Sequence, residues 1–141
     1  MNEQMSEKIS SNSNDDAARH ERGMATFTRM FGDVAGKTIA SVNEISPDLS
    51  RYLVEYVFGD VLARPALDLK SREIATVAAL TAMGTAGPQL RAHILCALNA
   101  GCSQQELIEI MIQMTVYAGF PAGLNGIQAA KEVFAEHAKK E

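Results

Sequence analysis

With 141 residues, 47% hydrophobic and 21% charged side chains, the chain is long enough for one domain with its own core, and its apolar runs are too short to cross a bilayer. The net charge of −4, with Lys and Arg scattered along the chain, excludes a basic stripe and with it nucleic acid as the main partner. Two cysteines, Cys96 and Cys102, are too few for a secreted disulfide scaffold, and residues 1–14 hold no apolar signal segment, so a cytoplasmic protein with no membrane partner is expected.

Residues 1–14 are polar and bury too little to offset ordering entropy, so they read as a disordered tail ahead of a single domain at 15–141. From Asp15 the apolar spacing is helical and no stretch alternates with a period of two, which makes the fold all-α. Asp15 or Asp16 caps a first helix to about Phe31, with Met24, Phe27, Met30 and Phe31 as its apolar stripe and Gly32 and Gly36 breaking the pattern. A short segment follows at Lys37–Asn43. Ser46-Pro47-Asp48 supplies an N-cap, a first-turn proline and an acidic first turn, with Leu49, Tyr52, Leu53, Tyr56 and Val57 expected on the buried face and Gly59 at the end.

Asp60 to Leu69 reads as a loop, and Lys70–Met83 as a helix so apolar around its circumference that it must be central. Pro88–Ala100 forms the next helix, closed by Gly101, and Ser103-Gln104-Gln105-Glu106 is a capping box that opens another, reaching about Ala118. These two helices are expected to form a hairpin. Gly119-Phe120-Pro121 breaks the chain before a last helix to about His137. Helices this apolar, on a domain this small, predict a homo-oligomer that covers their exposed faces.

Few polar groups interrupt the apolar pattern. His93 lies alone in an apolar helix, a placement shared by satisfied core histidines and by general acids or bases. Glu73 sits near the start of the central helix, where the dipole favours an acid, and Arg72, Lys70 and His93 are all open to it as partners. Arg64, before a proline in the loop, suits a carboxylate clamp or a loop ion pair equally. Tyr117, Gly119 and Phe120 either line a pocket beside the last helix's N-terminus or only pack and turn the chain. The three histidines are scattered, so no metal is implied, and no phosphate loop or dinucleotide fingerprint calls for a cofactor. Cys96 reads as a small buried hydrophobe and Cys102 as a loop residue.

From about Glu55 to Val133 the chain resembles the carboxymuconolactone decarboxylase family. The resemblance rests on Phe58-Gly59-Asp60-Val61-Leu62-Ala63-Arg64-Pro65, Ser71-Arg72-Glu73-Ile74-Ala75-Thr76-Val77-Ala78-Ala79-Leu80, Leu90-Arg91-Ala92-His93, Ala97-Leu98-Asn99-Ala100-Gly101 and Val116-Tyr117-Ala118-Gly119-Phe120-Pro121-Ala122 taken together. It implies an all-helical bundle of the AhpD type, assembled as a trimer or hexamer. Relatives in the alkylhydroperoxidase branch carry a Cys-x-x-Cys pair ahead of the histidine, with a glutamate upstream. Here His93 and Glu73 match, but the thiol positions are Ala86 and Gln89, so peroxide chemistry lacks its nucleophile and its resolving thiol. Dedicated γ-carboxymuconolactone decarboxylases do not share the glutamate.

The resemblance therefore implies a cofactor-independent decarboxylase acting on γ-carboxymuconolactone, or on a related small carboxylated lactone or keto acid of aromatic catabolism. Loss of CO2 drives electrons toward the lactone carbonyl, which calls for oxyanion stabilisation and then a proton on carbon. His93 with Glu73 supplies the catalytic pair, and Arg64, Tyr117, Gly119 and Phe120 the substrate-binding set. A thiol-dependent peroxidase using Cys96 or Cys102 and a non-catalytic oligomeric ligand-binding protein are the alternatives.

Overall fold

The computed structural model describes the backbone of residues 3–140 and the side chains of residues 14–140. Its described residues are helical throughout, apart from the turns between helices. They form two compact units, one up to Ala66 and one from Leu67.

In the first unit, α1 (Glu3–Phe31) leads through a 3-10 turn (Gly32–Val34) to α2 (Ala35–Ile45), then to α3 (Pro47–Tyr52), which continues as a π-helical segment, Leu53–Val61. The expected tail overlaps α1: its backbone is helical from Glu3, and Met1 and Asn2 lie outside the described residues. Ser46 caps α3 by accepting from the Leu49 N–H at 3.2 Å, and Pro47 occupies the first turn, where its missing N–H costs nothing. The wide winding is closed by the Leu62 N–H donating to the Val57 carbonyl at 2.8 Å, five residues back.

The π segment and α1 pack closely because glycine stands where they meet. A β-carbon at Gly59 would lie 2.7 Å from the Arg19 carbonyl oxygen, too close for any other residue without a shift. Phe27 stacks on Phe31 at 4.3 Å and meets Phe58 edge-on at 4.5 Å, forming the aromatic centre of this unit. The expected buried face of the third helix is corrected. Leu49, Tyr52 and Tyr56 are exposed, and Ser50, Val54, Glu55 and Phe58 are buried. An apolar stripe at helical spacing does not say which side meets α1, and glycine-mediated backbone approach selects the other side.

In the second unit, α4 (Leu69–Met83) is central, touching α5 (Gly87–Asn99), α6 (Gln104–Ala118) and α7 (Phe120–Ala138). Asp68 caps it by accepting from the Ser71 N–H at 2.8 Å. Gly84, Gly101 and Gly119 end helices with φ of 72°, 97° and 90°. Ser103 and Glu106 form the expected capping box, with bonds of 3.0 and 2.7 Å. The helices pair as α4 with α5 and α6 with α7, and secondarily α4 with α6 and α5 with α7, so α5 packs on its neighbours in space and not chiefly on α6. Between α5 and α6 the Cys102 N–H turns back to the Ala97 carbonyl at 2.9 Å, which carries Cys102 into the core.

Candidate functional site

Two polar side chains face each other inside the second unit. Glu73, Val77 and Thr81 lie at four-residue steps on α4 and are all buried, so the stripe that makes α4 central also carries the carboxylate inward. His93 stands on α5 beside buried Ile94 and Ala97, with its side chain 20% exposed. Its Nδ1 is 2.9 Å from Glu73 Oε2, and Glu73 is 0% exposed. The other carboxylate oxygen, Oε1, is buried with no hydrogen-bond partner.

The alternative partners of Glu73 are engaged elsewhere. Lys70 pairs with Glu106 at 3.0 Å, and Arg72 donates to the Leu67 carbonyl at 3.0 Å. Lys70 and the Ser103 backbone together hold the Glu106 carboxyl below the usual range, with the backbone bond the larger effect.

Cys96, three residues beyond His93 and therefore on nearly the same face of α5, completes the cluster. One ligand-capable atom each of Glu73, His93 and Cys96 lies within 4.8 Å of the others. Cys96 is fully buried, and its thiol resists ionisation because burial penalises the thiolate and the Glu73 charge adds to the penalty. In the sequence Cys96 looks like core filler, and no pair of histidines has ligand spacing. The signal for the cluster is the His-x-x-Cys step on one helix, and it becomes legible once α4 sets a buried carboxylate opposite.

The other residues singled out from sequence occupy different settings. Arg64 is exposed in the turn that follows the π segment, within the first unit. Tyr117 and Phe120, 77% and 70% exposed, flank Gly119 at the junction of α6 and α7. Arg91, in the Leu90–His93 motif, pairs with Glu132 at 3.6 Å. A cleft of about 250 Å3 between α4, α5 and α7 is lined by Thr81, Leu90, Arg91, Asn125 and Glu132. Neither Glu73 nor His93 lines it.

The first unit holds charged residues that sequence reasoning does not single out. Arg19 grips Asp60 with two bonds of 3.1 and 2.7 Å, which pulls the Asp60 carboxyl below its ordinary range. Buried Glu55 lies between Arg19, His20 and Arg51 at 3.6–3.9 Å. These contacts tie α1 and α3 to the π segment. No helix among the described residues is long and apolar enough to cross a membrane.

Comparison with known proteins gives this geometry its context. The chain is 29% identical over 120 residues to a 4-carboxymuconolactone decarboxylase of Acinetobacter baylyi, covering 84% of this chain and 89% of that protein. It is 34% identical over 97 residues to an uncharacterized 15.0 kDa protein of Paracoccus denitrificans, covering 68% and 72%. It is also 28% identical over 89 residues to peroxisomal protein 2 of Schizosaccharomyces pombe, covering 62% of this chain and 41% of that one. The model of the carboxymuconolactone decarboxylase family matches residues 47–132, more than half of the sequence. The chain belongs to the carboxymuconolactone decarboxylase family.

Proposed function

We propose that the chain is a carboxy-lyase acting on γ-carboxymuconolactone or a related small carboxylated lactone or keto acid, with His93 as its acid/base. The observation that carries this reading is the similarity to a 4-carboxymuconolactone decarboxylase over 84% of the chain; the partly exposed His93, held at 2.9 Å by buried Glu73, is the acid/base it offers.

In the reaction the bond between the γ-carbon and its carboxylate breaks, CO2 leaves, and the electron pair moves through the ring double bond onto the lactone carbonyl oxygen. The resulting dienolate takes a proton on the carbon next to that carbonyl. With Nδ1–H donated to Glu73 the ring is held in one orientation, and Nε2, after taking a proton from solvent, delivers it to the carbon and returns the ring to its neutral form. Glu73 is thus a positioning residue. Tyr117, Gly119 and Phe120 are assigned to the substrate pocket in a trimer or hexamer, where the exposed apolar side chains of Val116, Tyr117, Phe120 and Leu124 would be covered.

A thiol peroxidase would need Cys96 as an accessible thiolate, and burial together with the Glu73 charge opposes that. The test is CO2 release from γ-carboxymuconolactone generated in situ, by the native chain and by His93→Gln at matched folding. Turnover lost in the variant supports the reading. A well-folded native oligomer that binds such acids without turnover overturns it in favour of a binding protein.

A further inference from the structure

We propose that Glu73, His93 and Cys96 form a binding site for a divalent transition metal, with zinc the cation that their donor set fits best. This inference is independent of the substrate. It starts from three different donors, a carboxylate oxygen, an imidazole nitrogen and a sulfur, brought within 4.8 Å of one another from α4 and α5. Zinc bonds of about 2.0–2.3 Å imply separations of about 3.4–3.6 Å between tetrahedral ligands. The observed 2.9 Å between Nδ1 and Oε2 and the 4.8 Å limit bracket that value.

The second observation is Glu73 Oε1. A buried carboxylate oxygen with no donor facing it is a costly arrangement, and here it belongs to a fully buried side chain in the same cluster. A cation supplies what that oxygen lacks. Charge points the same way: one carboxylate, one thiolate and one neutral imidazole around a divalent ion sum to zero, which suits a buried site. Thiolate and imidazole select a borderline-soft ion over magnesium or calcium, which prefer an all-oxygen shell. His93 is the partly exposed member of the three, so the ion enters on its side and keeps a water there as fourth ligand.

Loading balances as follows. Glu73 binds as the carboxylate, the His93 proton moves from Nδ1 to Nε2, and the Cys96 thiol releases one proton to solvent. Occupation therefore takes Nδ1 away from Glu73, and metal and proton relay compete for the same atom.

The test uses the full chain stripped with chelator and titrated with Co2+, then with Zn2+. The expected result is one Co2+ per chain, a thiolate-to-cobalt charge-transfer band, its displacement by Zn2+, and release of one proton per ion. Cys96→Ala removes the band, Cys102→Ala keeps it, and Glu73→Gln weakens binding about tenfold or more. If Cys96→Ala does not fold, Glu73→Gln decides, since unchanged affinity overturns the proposal. No stoichiometric binding by the native chain, or a band that persists in Cys96→Ala, overturns it as well.

Discussion

Removing the histidine should expose what its partner costs. In His93→Ala, Glu73, fully buried in the native chain, loses the nitrogen at 2.9 Å and already has a second oxygen without a donor. The variant folds with either a buried unpaired charge or a proton on the acid. Protonating a carboxyl of ordinary pKa at pH 7 costs about 3.7 kcal/mol, which sets the ceiling on this part of the loss. His93→Ala is therefore expected to lose about 3–4 kcal/mol in urea denaturation at pH 7. Glu73→Met removes the acid while keeping its volume, so Glu73→Met/His93→Ala should lose only about 1–2 kcal/mol, mainly ring packing. The cycle then gives a coupling of about 2 kcal/mol or more. A loss of about 1 kcal/mol or less in His93→Ala, or additive effects across the cycle, would refute the reasoning.

Cys96, whose ionisation is pushed up by burial and by Glu73, should resist iodoacetamide at pH 8 in the folded chain and react once urea unfolds it. Because its folded value is raised, the stabilisation from the neutral thiol is fully present below the ordinary 9.0 and declines at higher pH, so urea midpoints should drop between pH 8 and 10. Gly126→Ala sets a β-carbon 2.9 Å from both Met111 Cγ and Thr81 Cγ2. The gain in helix propensity of about 1 kcal/mol is outweighed by overpacking of about 1–3 kcal/mol, so the melting temperature should fall; a rise would show that this contact yields easily. Ser103→Ala removes half of the capping box and should cost about 1 kcal/mol in urea. Glu106, held below the usual carboxylate range, contributes stability that is present above its ordinary 4.5 and lost as the pH falls, so native and Glu106→Gln chains should converge in midpoint under acid conditions.

Local signals account for most of what could be read from the sequence. The Ser46-Pro47-Asp48 start, the Ser103–Glu106 box and the glycines at 84, 101 and 119 mark helix ends within a few residues, because caps and left-handed turns depend on adjacent side chains. The apolar pattern of α4 also announces a central helix, and its Ala75, Ala79 and Met83 side is the one left exposed. The buried side of α3 and the π segment was not legible. Leu49, Tyr52 and Tyr56 give a cleaner apolar stripe than Ser50, Val54 and Glu55, and only the fit of Gly23 and Gly59 against the opposing backbone reverses the choice. At the candidate site, His93 and Glu73 are visible as polar residues in apolar helices, but their meeting depends on the register of α4 against α5. The same register brings Cys96 to them, which a search for paired histidines passes over.

One electrostatic circumstance governs both the proton chemistry and the metal site. A thiolate at Cys96 would stand in a dry core beside the Glu73 carboxylate, and both effects oppose its formation. The obvious resolving partner, Cys102, is buried past the end of α5. The last turn between the two is held by Ala100 N–H to Cys96 O at 2.9 Å, Gly101 N–H to Leu98 O at 3.0 Å and Cys102 N–H to Ala97 O at 2.9 Å. Both cysteines are free thiols in the core, and Ala86 and Gln89 offer no thiol at the start of α5. Burial and the Glu73 charge thus oppose peroxide reduction at Cys96. The penalty on the thiolate has one remedy within the cluster, a positive charge placed between sulfur and carboxylate. A divalent cation supplies it and satisfies Glu73 Oε1 at the same time, so the charge that silences Cys96 as a nucleophile equips it as a ligand.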